Sequence, residues 1–334
     1  MILEKIIKKK KLFIDEYMDF CLYKFKESYY QKKNIFGLEG DFVTSPHISS
    51  IFSEMLSIWI YTYWENIGKP KQINILELGP GDGTMAKDII ITLKKIKNFN
   101  SKIFYYLFET SKNLKEKQKS KLNKENVYWV KDIKYIKKEN LIILSNEFFD
   151  SLPTKQFIKK ENIWLEKGIK YCRLKKCLKF YYEKAKISDL NEISKFYNLD
   201  KSKFIEISFE TKNIIKKISY KLKKKNSIFL TIDYGDFTST SNDTLQAIKD
   251  KNKINPLKFP GECDITTQVN FFYMIKLFKS RNFKSIVFTT QSEFLQSMGI
   301  KERFNSQTKI LNKKKLLNLN KCITRLINPK KMGD

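Results

Sequence analysis

Between residues 77 and 84 the chain reads ELGPGDGT, with glycines at 79, 81 and 83 and a carboxylate, Glu77, two positions ahead of the first. Residues without a Cβ let a backbone turn sharply and approach a ligand closely. A helix starting behind them would add unpaired N–H groups and a partial positive charge. Two cofactor classes use this arrangement. The dinucleotide fingerprint GxGxxG, counted from Gly79, needs its last glycine at 84, where the chain has Thr84. The observed E-x-G-x-G-x-G is the form found in S-adenosylmethionine (SAM) sites, where there is no pyrophosphate and the glycines make room for the methionyl and ribose parts. Such a site needs a second acid closing the next strand, because one carboxylate can accept from both ribose hydroxyls. Glu109, at the end of KIFYYLFE (102–109), stands there, and Asp132, after a third strand, is placed to meet the adenine amino group. An ordinary tight turn would need neither acid.

These residues call for a parallel sheet to hold them. INILEL (73–78), KIFYYLFE (102–109), NVYWV (126–130), LIILSNE (141–147), FIEIS (204–208), SIFLTIDYG (227–235) and KSIVFTT (284–290) read as strands. Helical stretches such as 85–96 and 111–122 separate several of them. Alternation of this kind predicts an α/β fold with helices on both sheet faces. Residues 1–33 have the spacing of one or two amphipathic helices, and Ser45-Pro46 opens a long helix through Trp64. IWLEKGIKYCRL and CLKFYYEK, within 155–200, read as hairpin strands of an insertion. The tail is expected to be helical to about 327. The division expected is 1–70 as an N-terminal helical cap or lid, 71–154 as the cofactor-binding half, 155–203 as the insertion and 204–334 as the second half of the core.

Composition excludes several classes. Of 334 residues, 42% are hydrophobic and 14% aromatic, enough for a sizeable core and too many for a disordered chain. Charges interrupt every apolar run before the ~18 residues of a spanning helix, and the N-terminus lacks the apolar stretch of a secretory signal. Five cysteines without a CxxC pair fit reduced thiols. A sole histidine, His47, leaves no His-rich metal site, and no Ser-His-Asp engine unless His47 is its base. The net charge of +29 suggests nucleic acid, but four of the 65 basic residues are arginine and the rest lysine. Phosphate readers favour arginine's fork, and lysine enrichment beside Ile, Asn, Phe and Tyr matches an AT-rich genome. No specific nucleic acid is expected.

Six ordered motifs give the chain a relationship. GDFVTSPHIS (40–49), ELGPGDGT (77–84), SNEFFDSLP (145–153), IDYG (232–235), NPLKFPGECDIT (255–266) and QSEFLQSMGI (291–300) resemble the MidA family of SAM-dependent methyltransferases. That family includes the mitochondrial complex I assembly-factor enzymes. The resemblance runs from about Tyr29 to Gly333. It implies a class I, Rossmann-like methyltransferase sheet, SAM as cofactor, no metal, and symmetric dimethylation of arginine on a core subunit of respiratory complex I. Glu77, Gly79, Gly81, Gly83 and Glu109 would then bind SAM, with Thr44, Ser45 and Pro46 approaching from the N-terminal side as a lid. Asn146, Glu147, Phe148, Phe149 and Asp150 would line the transfer site. His47 replaces the family's usual glutamate, and Gln268 a frequent histidine. Members normally continue into a final strand lying between two others, whereas this chain stops at Asp334. An absent final strand would leave backbone groups unpaired inside the sheet.

The chemistry fits those residues. A guanidinium is protonated and delocalised at neutral pH, so carboxylates must orient it and accept the proton lost in transfer. We expect Glu147 to anchor it, Asp150 to orient it or take the proton, and Phe148 and Phe149 to offer cation–π faces. Glu262 and Asp264 form a second acidic pair within reach of the substrate, and Asp233 and Tyr234 end a strand at the same sheet edge. The competing readings are a non-catalytic assembly chaperone of the same fold and a nucleic-acid methyltransferase. A bacterial cytoplasm or a mitochondrial matrix suits the leading one. The oligomeric state is open, with a homodimer among the options.

Overall fold

The computed structural model describes residues 1–32, 45–123, 125–136, 138–238 and 242–334. Its centre is a five-stranded parallel sheet, whose strands we number β1 (Gln72–Leu78), β2 (Lys102–Phe108), β3 (Val127–Val130), β4 (Leu141–Asn146) and β5 (Ile228–Ile232). Their order is β5-β4-β1-β2-β3. β1 is central and buried almost throughout. Of its buried polar residues, Asn74 donates from Nδ2 to the Glu139 carbonyl at 2.8 Å, and Glu77 accepts from the Tyr105 hydroxyl. The order reverses between β1 and β4, so the two strands flanking that point send their following loops to opposite sides and leave a crevice at the carboxyl edge.

Both faces are covered. The helices Ser50–Asn66 and Thr84–Lys95, with the C-terminal helices Gln291–Ser297, Ile300–Thr308 and Lys313–Ile327, bury one face around Phe52, Trp64, Ile75 and Tyr105. Arg303 Nε, at 2.6 Å from Glu54 Oε2, ties the C-terminal layer to the first of these helices. The helices Phe209–Leu222 and Phe271–Lys279 cover the other face.

A second sheet is antiparallel. Lys155–Lys160 lies between Ile163–Cys172 and Phe204–Ile207, and Ile163–Cys172 also pairs with Cys177–Lys184. This is the expected hairpin, and its sheet extends to Phe204–Ile207. A short N-terminal strand, Lys11–Phe13, pairs with Lys170–Gly168 between the helices Ile2–Lys9 and Ile14–Leu22. Residues 1–31 therefore pack on the second sheet, with Ile169, Ala247 and Ile265 in their core, whereas 50–66 pack on the first. The long N-terminal helix is broken at Ser49, which leaves helical geometry and caps Ser50–Asn66 by accepting the Ile51 N–H at 3.3 Å. The polar stretch after β5 contributes short strands at Gln246–Lys249, Asn252–Ile254 and Asp264–Thr266, which sequence periodicity does not reveal.

One strand expectation is corrected. Residues 284–290 form no strand, and Val287 and Phe288 are exposed. Apolar β-branched character alone does not make a strand where there is no neighbour to complete a ladder, and β5 is paired on one side, with β4. No described helix is long and apolar enough to cross a membrane.

The N-terminal strand approaches its partner closely because residue 168 is glycine. A Cβ built there would lie 2.6 Å from the Leu12 carbonyl oxygen and 2.5 Å from Tyr181 Cε1. Gly168→Val should destabilise the protein by roughly 1–3 kcal/mol through overpacking, read as a lowered melting temperature. An unchanged melting temperature would mean the strand pairing contributes nothing.

Candidate active site

At the carboxyl edge of β1, β2 and β4 lies a cavity of about 660 Å³. Ten acidic side chains line it but a single lysine, Lys155, among the described residues. In a chain with a net charge of +29 the cavity reverses the sign locally, and it favours cationic ligands.

The glycine loop forms one wall. Gly79, Gly81 and Gly83 have φ of 64°, 53° and 83°, a region that costs other residues energy. A Cβ on Gly79 would fall 2.7 Å from Phe148 Cδ2, so the loop and the turn after β4 meet only because residue 79 has no side chain. Gly79 and Gly81 line the cavity, while Gly83 starts the helix Thr84–Lys95 from behind. Glu77 is buried and accepts a 2.7 Å bond from the Tyr105 hydroxyl. Burial pushes its carboxyl up to about 7, against the pull of that hydroxyl.

Glu109 faces the loop from the end of β2. Its Oε1 accepts the backbone N–H groups of Thr110 and Ser111 at 2.7 Å each, fixing the side chain, while Oε2 has a longer contact, 3.3 Å, from Gln118 Nε2. Burial raises its carboxyl above the usual range. Oε2 therefore keeps acceptor capacity on the cavity side. Met85, Phe108 and Leu114 add apolar wall beside it. A cradle that a Cβ would fill, an acid with a free acceptor and an apolar flank suit a nucleoside with hydroxyls to donate.

The turn after β4 forms the opposite wall. Glu147 has φ of 47°, a left-handed conformation rare for a residue with a Cβ. Its N–H donates to the Ile232 carbonyl at 2.9 Å, and its Oε1 accepts the Ser45 N–H at 3.2 Å and Asn146 Nδ2 at 3.3 Å. Asn146 Oδ1, Glu147 Oε2 and Asp150 Oδ1 are buried without a hydrogen-bond partner among the described residues. Burial pushes the Glu147 carboxyl up to about 8, with Asp233 and Asp264 adding repulsion. Asp150 is raised too, by burial and then by Asp233, Asp264 and Glu147. Asp264 reaches the same space from Asp264–Thr266 and accepts from the Tyr30 hydroxyl at 2.8 Å.

Other expected site residues sit elsewhere. Asp132 is outside the lining: it caps the 3-10 turn Ile133–Tyr135 through the Lys134 N–H and pairs with Lys217 at 3.2 Å. Glu262 is exposed and paired with Lys249 at 3.1 Å. Phe149 is buried in the core against Phe148 and Phe229, so only Phe148 of the two offers a ring to the cavity. Pro46 lines the cavity, Ser45 contributes its backbone N–H, and Thr44 lies outside the described residues.

Sequence reasoning missed several contributors. Asp82, inside the glycine motif itself, receives Lys121 Nζ at 2.6 Å and lies 3.2 Å from His47 Nε2. Burial opposes its charge, but His47, Lys121 and the Thr84 side chain outweigh that and hold its carboxyl well below the usual range. It thus links the 45–48 segment to the loop. Tyr23 and Tyr30 also line the cavity; Tyr23 had the periodicity of a packing residue, and nothing in the sequence marked Tyr30.

Comparison with known proteins agrees with this geometry. Residues 55–289 match a family described as "Putative S-adenosyl-L-methionine-dependent methyltransferase". "Protein arginine methyltransferase NDUFAF7, mitochondrial" of Danio rerio is 28% identical across 99% of this chain and 83% of its own length. The human protein of that name is 28% identical across 96% and 78%, and the Caenorhabditis elegans homolog 29% across 90% and 76%. A crystal structure from Burkholderia thailandensis, solved with S-adenosyl-homocysteine bound, superposes with a TM-score of 0.80 at 18% identity, covering 99% of this chain and 88% of that one. The likeness extends over the whole fold.

Two measurements follow from the site. Gly79→Ala should cost at least about tenfold in S-adenosyl-homocysteine affinity by calorimetry, since the methyl meets Phe148 at a strained φ; undiminished affinity would take the loop out of the site. The second concerns pH. Glu147 is ordinarily ionised above about 4.5 when unfolded and is held protonated up to about 8 when folded. Across that window the folded state binds more protons, so stability falls as pH rises. Glu147→Gln should lose less melting temperature than the parent between pH 5 and 8.

Proposed function

The chain belongs to the S-adenosyl-L-methionine-dependent methyltransferase family matched by its residues 55–289, and from that premise we propose that it methylates arginine side chains of a protein substrate. The observation carrying this reading is that the glycine loop and Glu109 share one cavity with Glu147 and Asp150, whose buried oxygens have no partner among the described residues. A planar guanidinium with five donors supplies the charge and the hydrogen bonds that those oxygens need. The curated relatives carry arginine methyltransferase in their names, which supports the same substrate class.

SAM supplies an electrophilic methyl group on a sulfonium. The protein's part is alignment and handling of one proton. Glu147, fixed on one oxygen by the Ser45 N–H and Asn146, turns its other oxygen to the guanidinium and anchors it. A cation arriving beside Glu147 reverses the repulsion from Asp233 and Asp264 and favours the ionised form. Asp150, on the same turn, orients the attacking nitrogen and accepts the proton that leaves as the N–C bond forms, a role matched to its raised affinity for protons. Phe148 closes the space between loop and turn.

A polyanionic substrate meets the opposite electrostatics. The acidic lining would repel phosphate wherever it approached the reacting edge, although the lysine-rich exterior attracts it weakly. We extend the proposal, on the resemblance in the sequence, to symmetric dimethylation of a core subunit of respiratory complex I, in a mitochondrial matrix or a bacterial cytoplasm.

Glu147→Gln should lower kcat by at least about 100-fold, within the range for loss of a catalytic carboxylate, with calorimetric affinity for S-adenosyl-homocysteine close to the parent's. Loss of both would mean Glu147 belongs to the cofactor site. Labelled methyl should pass to arginine-containing complex I peptides and not to RNA; transfer to RNA alone would overturn the substrate class. A folded protein that binds no cofactor would be a chaperone instead.

A further inference from the structure

The turn that carries Glu147 and Asp150 is held by a residue from another strand. Asp233 follows β5, at the carboxyl edge of the sheet. Its Oδ2 accepts the backbone N–H groups of Phe148 at 3.0 Å and Phe149 at 2.9 Å, and its Oδ1 accepts the Tyr234 N–H at 2.9 Å. One carboxylate therefore fixes the two peptide units immediately after Glu147. The preceding unit is pinned to the same strand, because the Glu147 N–H donates to the Ile232 carbonyl at 2.9 Å.

This clamp explains a conformation that would otherwise be unstable. A left-handed φ at a glutamate persists only where its neighbours over-determine the backbone. Here the bonds on either side of Glu147 do so, and together they set where its carboxylate lies. Tyr23 and Thr267 support the far end of the turn, through the Ser151 side chain at 2.8 Å and the Asp150 carbonyl at 2.9 Å. Neither touches the peptides that Asp233 holds.

We propose that Asp233 is a positioning residue for methyl transfer, acting through the Phe148 and Phe149 amides to aim Glu147 into the cavity. The assignment rests on the reading of Glu147 as guanidinium anchor. Asp233 has an electrostatic effect as well. The groups facing Glu147 are Asp233 and Tyr234 beyond β5, Asp264 from its short strand, Asp150 on the shared turn, and the Ser45 and Asn146 amides. Of these, Asp233 is the carboxylate that repels Glu147 most.

Asp233→Asn tests both effects. The amide keeps an acceptor oxygen but loses the charge and puts a donor where a second N–H points. In methyl transfer to an arginine peptide, kcat should fall by at least about tenfold, a misplacement of the anchor being costly, while S-adenosyl-homocysteine affinity by calorimetry stays within about twofold. The acid limb of the kcat/KM profile should move to lower pH, because Glu147 loses a repelling neighbour. Unchanged kcat and an unmoved acid limb would overturn the proposal. Equal loss of cofactor affinity would overturn it too, making Asp233 a support of the whole edge. Should Asp233→Asn fail to fold, Asp233→Ser, which can still accept one amide, goes through the same assays; failure of both makes the residue structural and ends the assignment. Glu147→Gln run in parallel separates the two readings. If it is fully active, the anchor reading fails. If it is dead while Asp233→Asn matches the parent, only the present inference fails.

Discussion

Like charges withdrawn from water beside one another repel, and a fold that gathers them must oppose that repulsion by other means. Glu147, Asp150, Asp233 and Asp264 converge on one edge of the central sheet, and the cavity they border has one lysine, Lys155, in its lining among the described residues. The protein meets this constraint in two ways. Backbone N–H groups solvate Asp233, and a tyrosine hydroxyl serves Asp264. Burial raises the proton affinity of Glu147 and Asp150, and both keep oxygens in reserve. A cation beside these oxygens turns the repulsion into attraction.

The rest of the architecture can be understood as support for that edge. Parallel strands bring the ends of β1, β2, β4 and β5 to one level, so residues 77, 109, 147 and 233 meet although they are far apart in the chain. The second sheet and the N-terminal helices then wall the open side with Tyr23, Tyr30 and Lys155. Lys155 sits 2.6 Å from the buried Glu166 and 3.3 Å from Asp15, another lining acid, so the lysine in the lining is engaged by these two carboxylates.

Much of this was legible in the sequence because it is local. The strand, glycine loop and helix around Gly79 follow from side-chain pattern and from what a missing Cβ allows. Glu109 follows from its position at a strand end, and the hairpin at 163–184 from its alternation. Other features depend on contacts between distant segments. The strand Lys11–Phe13 is three residues long and exists because Gly168 admits it. The stretch 284–290 has a strand's composition but makes no ladder. Asp132 has a plausible spacing, yet β3 is a short edge strand, and the acid after it turns to cap Ile133–Tyr135. Phe148 and Phe149 look alike in sequence, but Phe148 lines the cavity while Phe149 packs into the core against Phe229. Asp233 could be placed at the edge from its strand alone; its bonds to another strand's turn could not.

The walls of the cavity come from residues 15–31 and Pro46–His47, from the middle of the chain and from Asp264. During vectorial synthesis the leading helices emerge long before the hairpin they pack on, and that hairpin before the segment that seals it. Assembly of the pocket is thus dominated by contacts of long sequence separation, the kind that form slowly and leave apolar surface exposed meanwhile. Ile6, Leu12, Tyr17 and Met18, buried in the finished protein, spend that interval uncovered. A binding site encoded in a single contiguous stretch would close with a shorter exposure of such surface.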